Sequence, residues 1–489
     1  MTQMSEPDAL TPEVHRDPDW FKRAVFYEVL VRGFADSNGD GTGDLAGLRG
    51  RLEYLHWLGI DGFWLNPTFP SPNRDWGYDV SDYFGVHPDL GTLEDLDALI
   101  TDAGGLGIRI LLDLVPAHTS DQHEWFVESR SSRESPRRPW YIWADEVDEQ
   151  ESVFGGATWT YDERTSQYYH HLFLPEQPDL NWMLPAVRDA SDEILRFWFE
   201  RGVAGLRIDV VHELVKDPPS RPNRSEIHNV LRRWRSLARG YEPERLLVGE
   251  TWVMDLDELA SFYGRNDELQ LAFNFPFMFA GLDATALAGV VERTDAVLPG
   301  GALPVWALSN HDVVRFPTRM CDDDDAKVRC ALLALLTLRG TSVLYYGDEL
   351  GMRQADIPPD CVRDVHGRDG ARTTMPWDDV ERRDPWLPLG GKVATVAAQR
   401  GDPGSVLSFC RDAIALRRGR EDLVSGGYAA LDSPTGVWAW RRGGATGVAL
   451  NLTGSEAAAP LEGEVLLSTK GRDDPSRLEP WEGVVVALT

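Results

Sequence analysis

The chain has 489 residues, 42% of them hydrophobic and 26% charged, which is enough for one large globular domain with smaller domains attached. Its formal net charge of −30 argues against nucleic acid or an anionic membrane surface as a partner, because both select basic patches. No apolar run approaches the roughly 20 residues that cross a bilayer.

The cysteine content and the N-terminal sequence indicate the cellular compartment in which the protein is expected. The four cysteines form no C-x-x-C pair and are too few for a disulfide framework. Residues 1–20 are polar and acidic and lack the apolar core of a signal peptide. We therefore expect free thiols and a cytoplasmic location.

Predicted strands alternate with predicted helices along most of the chain. The strands are predicted at 25–31, 62–66, 109–115, 205–209, 246–250, 271–274, 305–310 and 341–346. The helices are predicted at 45–58, 93–106, 192–200, 226–238, 284–297, 326–338 and 405–417. Eight strands in this alternation predict an α/β fold, a (β/α)8 TIM barrel. A doubly wound open sheet is the alternative, but no G-x-G-x-x-G follows an early strand.

Two segments depart from the alternation. Residues 116–180 are polar, aromatic and irregular, which predicts a domain inserted after the third strand. Short alternating stretches after residue 422 predict a C-terminal antiparallel β domain at 421–489. The catalytic barrel would then comprise residues 20–115 and 181–420.

The loop from Asp36 to Asp44 places oxygen-bearing side chains at every second position, with glycines between them. This spacing resembles the calcium loop of an EF-hand. The distant bidentate Glu is missing, so we expect a single structural Ca2+ site, with a solvated acidic turn as the alternative. The predicted ligands are Asp36, Asn38, Asp40 and Asp44 and the carbonyl of Thr42.

The fourth predicted strand ends in an acid. Arg207 and Asp209 lie two residues apart, so they point to the same face of the strand, where the cation would keep the carboxylate ionised. An ionised, oriented carboxylate at a strand end suits a nucleophile. A buried structural ion pair is the alternative.

Other strand ends carry polar residues as well. Active sites of barrels lie at the carboxyl ends of the strands. The polar residues at these ends are Asp113 and His118, Asp209, Glu250, and Asn310 to Asp312. Paired carboxylates suit glycoside hydrolysis, in which one acid attacks and another protonates the leaving oxygen. Glu250 follows an apolar run, which suits the proton donor.

These residues occur in motifs that resemble a known family. The motifs are Asp113-Leu-Val-Pro-Ala-His118, Gly205-Leu-Arg-Ile-Asp209, Gly249-Glu250, Asn310-His311-Asp312, Gln177-Pro-Asp-Leu-Asn-Trp182 and Gly77-Tyr-Asp-Val-Ser-Asp-Tyr83. From about residue 25 to the C-terminus the chain resembles the α-amylase superfamily, glycoside hydrolase family 13. Within it, the chain is similar to the α-glucosidase and oligo-1,6-glucosidase branch, and the acidic loop matches the calcium site of that branch.

The resemblance implies roles for individual residues. The implied catalytic residues are Asp209 as nucleophile, Glu250 as acid/base, and Asp312, which would bind the hydroxyls at C2 and C3. The implied substrate contacts are His311 beside Asp312, His118 at the 6-hydroxyl, Tyr78 as stacking platform, Arg207 orienting the nucleophile, and an Asp79–Arg372 pair at the 4-hydroxyl. That last pair would close the pocket behind one glucose and make the enzyme exo-acting.

Three positions qualify the resemblance. The family usually has Asn where this chain has Ala117, so we expect no second calcium site. Where the family has Arg-Thr-Pro-Met, this chain has Arg-Thr-Thr374-Met. We expect the loss of the proline to loosen the loop that carries this motif. A valine at position 210 resembles the residue found there in members of the branch that prefer α-1,6 linkages. Ordinary packing inside the barrel also accounts for it.

The sequence thus predicts a retaining exo-acting α-glucosidase. It would release terminal non-reducing glucose from short oligosaccharides or α-glucosides, favouring α-1,6 and also accepting α-1,4 linkages. A transglucosidase or a sugar isomerase of the trehalose synthase or sucrose isomerase type is the alternative, because it shares the first half-reaction. An inactive scaffold or a sugar-binding protein is disfavoured, since Asp209, Glu250 and Asp312 are all present. The sequence does not indicate an oligomeric state.

Overall fold

The computed structural model describes residues 17–216, 222, 224–378, 385–389 and 393–489. The strands are β1 (Val25–Val29), β2 (Gly62–Leu65), β3 (Arg109–Leu114), β4 (Trp143–Ala144), β5 (Trp159–Asp162), β6 (Gln167–His170), β7 (Gly205–Ile208), β8 (Leu246–Gly249), β9 (Leu271–Ala272), β10 (Val305–Ala307), β11 (Thr341–Tyr345), β12 (Tyr428–Ala430), β13 (Val437–Arg442), β14 (Thr446–Asn451), β15 (Ala457–Ala458), β16 (Gly463–Ser468), β17 (Arg477–Leu478) and β18 (Glu482–Leu488). The helices are α1 (Val31–Phe34), α2 (Leu45–Arg49), α3 (Leu52–Leu58), α4 (Leu93–Gly105), α5 (Glu124–Ser129), α6 (Pro185–Glu200), α7 (Arg224–Ala238), α8 (Leu256–Ser261), α9 (Phe275–Phe279), α10 (Ala284–Val297), α11 (Phe316–Cys321), α12 (Asp325–Thr337), α13 (Val396–Arg400), α14 (Val406–Gly419) and α15 (Glu421–Val424).

Eight parallel strands form the central sheet, in the order β10-β11-β1-β2-β3-β7-β8-β9. A parallel bridge between Phe273 and Val305 joins its two edges, which completes the ring. The predicted (β/α)8 barrel is therefore confirmed, and the open sheet is excluded. Every residue of the long strand β3 and of β7 and β8 is buried, as expected where helices cover one face and the barrel interior fills the other.

Smaller antiparallel sheets accompany the barrel. The sheet β4-β6-β5 lies between β3 and α6, within the segment predicted to be an insertion. A five-stranded sheet, β12-β13-β14-β18-β16, and the pair β15-β17 follow α15. The predicted C-terminal β domain thus has its own antiparallel sheet, and alternate side chains of β13, β14 and β18 form a separate small core.

The predicted elements differ from the observed ones mainly at their ends. The helix predicted at 45–58 is divided into α2 and α3, because Gly50 caps the C-terminus of α2 and Arg51 is the N-cap of α3. The predicted polar leader lies largely outside the described residues. Among the residues that are described, no helix is long and apolar enough to cross a membrane.

The two strands that carry the site approach each other closely at Gly205. This glycine pairs with Leu246 of β8, and a Cβ added to it would lie 2.3 Å from the Leu246 carbonyl oxygen. No real Cβ contact is that short, so a side chain here would force β7 and β8 apart. The glycine therefore permits the strand spacing that sets the positions of both strand ends.

We expect Gly205→Ala to lower the free energy of unfolding by about 1–3 kcal/mol, as overpacking does elsewhere. Gly289→Ala is the matched control, because it lies on an exposed turn of α10 with open space around its Cβ, and it should be neutral or slightly stabilising. Thermal unfolding followed by circular dichroism compares the two. Equal midpoints for both variants would contradict the close-approach argument.

Candidate active site

One buried guanidinium joins three carboxylates from neighbouring barrel strands. Arg207 on β7 donates through Nη1 to Asp113 Oδ1 at 2.8 Å and to Asp209 Oδ1 at 2.6 Å. Its Nη2 lies 3.1 Å from Glu250 Oε2. The predicted pairing of Arg207 with Asp209 is present, and Asp113 and Glu250 share the same cation.

The backbone places these acids by extending the barrel ladder beyond the strands. Asp209 N donates to Leu114 O at 2.9 Å, and Glu250 N donates to Ile208 O at 2.8 Å. Val210 then adopts a left-handed conformation, with φ of 47°, which is unusual for a β-branched residue. This turn aims the Val210 N–H at Glu250 Oε2, 2.9 Å away.

The electrostatics of the acids follow from burial and crowding. Burial raises the pKa of Asp209, the Glu250 carboxylate raises it further, and Arg207 opposes both. Burial likewise raises the pKa of Asp113 to about 6 against the effect of Arg207. Burial therefore makes Asp209 and Asp113 harder to ionise than exposed carboxyls, and Arg207 is the cation that opposes this effect.

Asp312 belongs to a second network that includes His311. His311 Nε2 lies 3.1 Å from Asp312 Oδ2, and its Nδ1 lies 2.6 Å from Glu28 Oε1 of β1. Burial lowers the pKa of His311, but Asp312 and Glu28 outweigh it and raise the pKa to about 9. For Asp312, burial is outweighed by His311, Arg368 and Arg372, which hold its pKa well below the usual range. An imidazolium beside an ionised Asp312 results.

Tyr78 and His118, the residues predicted to contact the sugar, both line the cavity. The Tyr78 ring stacks on His311 with centroids 5.3 Å apart, and its hydroxyl is 3.1 Å from Asp113 Oδ2. His118 Nε2 is 2.9 Å from the Tyr78 carbonyl. Tyr78 is therefore linked to the acid cluster directly, through its hydroxyl and Asp113, and His118 is linked to it through the Tyr78 carbonyl.

The predicted pair of Asp79 with Arg372 is not formed in the described structure. Asp79 is fully buried and accepts hydrogen bonds from Ser71 Oγ at 2.7 Å and from the backbone N–H groups of Arg74 and Asp75. It stabilises its own loop and does not face the cavity. Arg372 donates to Asp312 Oδ1 at 2.9 Å and to the His311 carbonyl.

A different ion pair occupies the cavity wall. Arg368 Nη2 lies 2.5 Å from Asp75 Oδ1, and its Nη1 lies 3.2 Å from Asp312 Oδ1. Burial lowers the pKa of Arg368, but Asp75, Asp364 and Asp312 raise it well above its usual value, so it stays cationic. Both predicted partners were thus misplaced by four residues within the correct loops.

The cavity enclosed by these groups has a volume of about 450 Å³. It is lined by Asp75, Tyr78, His118, Val153, Phe154, Leu172, Phe173, Gln177, Asp209, Val210, His212, Glu213, Glu250, Trp252, Asp312, His366 and Arg368. It therefore brings together acids from β7, β8 and β10 with residues of the insertion and of the loop after β11.

The side chains of the acidic loop Asp36–Asp44 accept hydrogen bonds from backbone N–H groups of the loop and of α2. Asp36 accepts the N–H groups of Asn38, Gly39 and Gly41, and Asp44 caps α2 through Gly47 N at 2.6 Å. Asn38 and Asp40 each accept the N–H two residues on, at Asp40 and Thr42. Across the described residues, no group of three or more His, Cys, Asp or Glu side chains is placed to hold a metal ion.

Several residues of the site escaped sequence-based prediction. Glu28, Asn66, Asp75 and Arg368 contact the two networks directly. Asn66 directly follows β2 and so carried a strand-end signal, whereas Glu28 lies within the apolar strand β1. Asp75 and Arg368 lie in irregular loops, where spacing does not reveal which side chain faces the cavity.

Comparison with known proteins places the chain in a family. The sequence model for the alpha-amylase catalytic domain matches residues 28–426. The chain is 38% identical over 467 residues to a probable alpha-glucosidase of Rhizobium meliloti, covering 84% of each chain. It is 32% identical to a glucan 1,6-alpha-glucosidase of Streptococcus pneumoniae, covering 96% of this chain and 99% of that protein.

Solved structures agree with the sequence relatives. The alpha-glucosyl transfer enzyme XgtA superposes with a TM-score of 0.90 at 34% identity, over 96% of this chain and 99% of that one. The chain therefore belongs to the α-amylase family of glycoside hydrolases and to its α-glucosidase branch.

The His311 network predicts a pH dependence. An unperturbed histidine has a pKa near 6.5, whereas Asp312 and Glu28 raise the pKa of His311 to about 9 against the effect of burial. Its contribution to stability is therefore fully present below pH 6.5 and is lost as pH rises to about 9. We expect the thermal midpoint to fall over this range, and to fall less in His311→Gln. Titration of the 13Cε1-labelled histidine by NMR measures the pKa directly, and a midpoint near 6.5 would contradict the network.

Proposed function

We propose that this protein is a retaining exo-acting α-glucosidase that releases single glucose units from the non-reducing ends of small α-glucosides. The observation that carries the proposal is the Arg207 guanidinium, which holds Asp209 and Glu250 side by side at the cavity. Two adjacent carboxyl groups that share one cation suit double displacement, in which one attacks and the other transfers protons.

In the first step Asp209 Oδ2 attacks the anomeric carbon while Glu250 protonates the leaving oxygen. The glycosidic bond breaks, and a glucosyl ester forms on Asp209. Arg207 lies 2.6 Å from Asp209 and 3.1 Å from Glu250, and its positive charge opposes the rise in the pKa of Asp209 that burial and Glu250 cause. Glu250 Oε2 accepts the Val210 N–H and faces Arg207, so Oε1 is the oxygen that would transfer the proton to the leaving oxygen.

In the second step Glu250 takes a proton from water, and the water oxygen attacks the anomeric carbon. The ester bond to Asp209 breaks and α-glucose leaves with retained configuration. Transfer to a sugar hydroxyl in place of water would give transglucosylation, and the similarity to the alpha-glucosyl transfer enzyme XgtA favours this as a second activity.

The remaining residues would bind the glucose ring. The ionised Asp312, held by His311 and by two arginines, would accept hydrogen bonds from the hydroxyls at C2 and C3. Tyr78 would stack on the ring face, and His118 would contact the 6-hydroxyl. The Asp75–Arg368 ion pair would close the pocket behind the glucose, which is the role that the resemblance implied for Asp79 and Arg372. A pocket closed by this pair would hold a single glucose beyond the scissile bond, which is the basis for proposing exo-acting cleavage.

Two finer points are part of the proposal. Val210 lines the cavity beside Glu250, which supports its influence on linkage and the preference for α-1,6 over α-1,4 substrates. Calcium binding at Asp36–Asp44 and a cytoplasmic location remain predictions. No step of the reaction proposed here requires the metal.

Product analysis tests the mechanism. We expect free glucose from isomaltose and, more slowly, from maltose, with the α-anomer appearing first by 1H NMR. Asp209→Ala should abolish turnover of both, because no nucleophile remains. A first-formed β-anomer would exclude retention, and a new disaccharide with little glucose would identify an isomerase or transglucosidase.

The closing ion pair is tested separately. Arg368→Ala leaves Asp75 unpaired and removes a charged contact, so kcat/KM on isomaltose should fall by about 10–100-fold. Arg353→Ala is the control, because Arg353 forms a surface ion pair with Asp325 away from the cavity. If Arg372→Ala weakens turnover of isomaltose while Arg368→Ala does not, the assignment of the closing pair is wrong.

A further inference from the structure

A buried carboxylate lies behind Arg368, the cation that pairs with Asp75. Asp364 accepts hydrogen bonds from Arg368 Nε at 2.9 Å and from Arg368 Nη2 at 3.0 Å, one on each of its carboxylate oxygens. The side chain of Asp364 is only 3% exposed. Arg368 lines the cavity, whereas Asp364 does not. Asp364 therefore meets the guanidinium from the protein side, and Arg368 separates it from the space that the sugar would occupy.

The two contacts with Asp364 fix the plane of the guanidinium. A carboxylate that binds an arginine through both oxygens is a planar, directional partner. On the cavity side, Arg368 meets Asp75 and Asp312 through one oxygen of each, Oδ1 in both cases. A contact through a single oxygen leaves the guanidinium free to turn about that oxygen. Asp364 thus supplies the two-point contact that sets the direction of the other two.

The backbone of its own loop holds Asp364 in place. Asp364 Oδ2 accepts the N–H of Arg368 at 2.8 Å. Asp369 Oδ2 accepts the N–H groups of Arg363 at 2.7 Å and of Asp364 at 2.9 Å. Gly367, with φ of 82°, donates to the Asp364 carbonyl at 3.1 Å and closes the turn. The two carboxylates thereby tie the ends of this turn together, so the loop itself determines where Asp364 points.

The loop that carries Asp75 is attached at the same point. Trp76 directly follows Asp75, and its Nε1 donates to the Arg363 carbonyl at 3.2 Å. Arg363 directly precedes Asp364. The loops that carry the acid and the cation of the pair are therefore joined next to Asp364, and a guanidinium held by Asp364 is directed at Asp75.

Asp364 is also ionised throughout the neutral range. Burial raises the pKa of Asp364, but Arg368 and Arg372 outweigh burial and lower the pKa to about 2. An asparagine at this position would be nearly the same size. It would lack the negative charge, and it could accept from only one of the two guanidinium N–H groups through its single side-chain oxygen.

Building on the proposed function, we propose that Asp364 is a positioning residue of the glucose-binding wall. It fixes Arg368 in the orientation in which the guanidinium meets Asp75 and Asp312 together, and it makes no contact with the substrate. Without it, the long side chain of Arg368 regains rotational freedom, and binding of glucose must restrict that freedom again. The wall binds the glucose unit of substrate and product alike, so the loss falls on binding and leaves the chemical step intact.

Asp364→Asn tests this role through the separation of KM from kcat. With isomaltose as substrate, we expect KM and the inhibition constant of glucose each to rise by about fivefold or more, because an ionic hydrogen bond that orders the wall is lost. We expect kcat to change by less than about twofold. Asp360→Asn is the matched control, since Asp360 lies exposed on the same loop and its replacement removes the same charge. It should leave all three constants unchanged.

The same substitution in Arg368→Ala distinguishes positioning from stabilisation of the loop. If Asp364 acts through Arg368, Asp364→Asn should change KM by less than about twofold once the guanidinium is absent. Full additivity of the two substitutions would refute the positioning role, because Asp364 would then act independently of Arg368. A fall in kcat with unchanged KM and glucose inhibition would also refute it, since that pattern is expected from a smaller folded fraction.

The positioning role and the proposed function fail in different ways. If the wild-type protein hydrolyses isomaltose and Asp364→Asn retains the wild-type KM, the positioning role is refuted and the α-glucosidase stands. If the wild-type protein hydrolyses neither isomaltose nor maltose, the proposed function fails and the role of Asp364 in it fails as well.

Discussion

The site depends on the ion pairs that the Arg207 guanidinium makes with three carboxylates. The guanidinium meets Asp113 from β3, Asp209 from β7 and Glu250 from β8, so three strand ends converge on one cation. Buried carboxylates without a partner are costly, and loss of one member of such a cluster commonly costs several kcal/mol. The barrel supplies the convergence, because parallel strands bring their carboxyl ends to one rim.

A second chain of charges surrounds this cluster and holds the opposite wall. Glu28, His311 and Asp312 alternate in sign, and Arg372 and Arg368 extend the sequence to Asp75. Each ion is paired, so the network stays buried without an isolated charge. It connects β1 and the end of β10 to the loop after β11, and thereby fixes loops that have no regular structure.

Sequence reasoning succeeded where periodic structure constrains the side chains. The alternation of strand residues predicted that Arg207 and Asp209 share a face, and they form a 2.6 Å contact. It failed in loops, where the spacing of residues does not determine which side chain faces the cavity. Asp75 and Asp79 lie in one loop, and hydrogen bonds from Ser71 and Arg74 turn Asp79 inward, which leaves Asp75 at the cavity. Glu28 was overlooked because it lies within an apolar strand, although it is fully buried beside His311.

The left-handed backbone at Val210 links two properties of the site that would otherwise be separate. Its N–H fixes one oxygen of Glu250, while its side chain forms part of the cavity wall. A glycine would relax the backbone but would also widen that wall, and a larger residue would strain the turn that aims the N–H. The orientation of the Glu250 carboxyl and the width of the cavity therefore both depend on one residue, and a substitution at Val210 would change the two together.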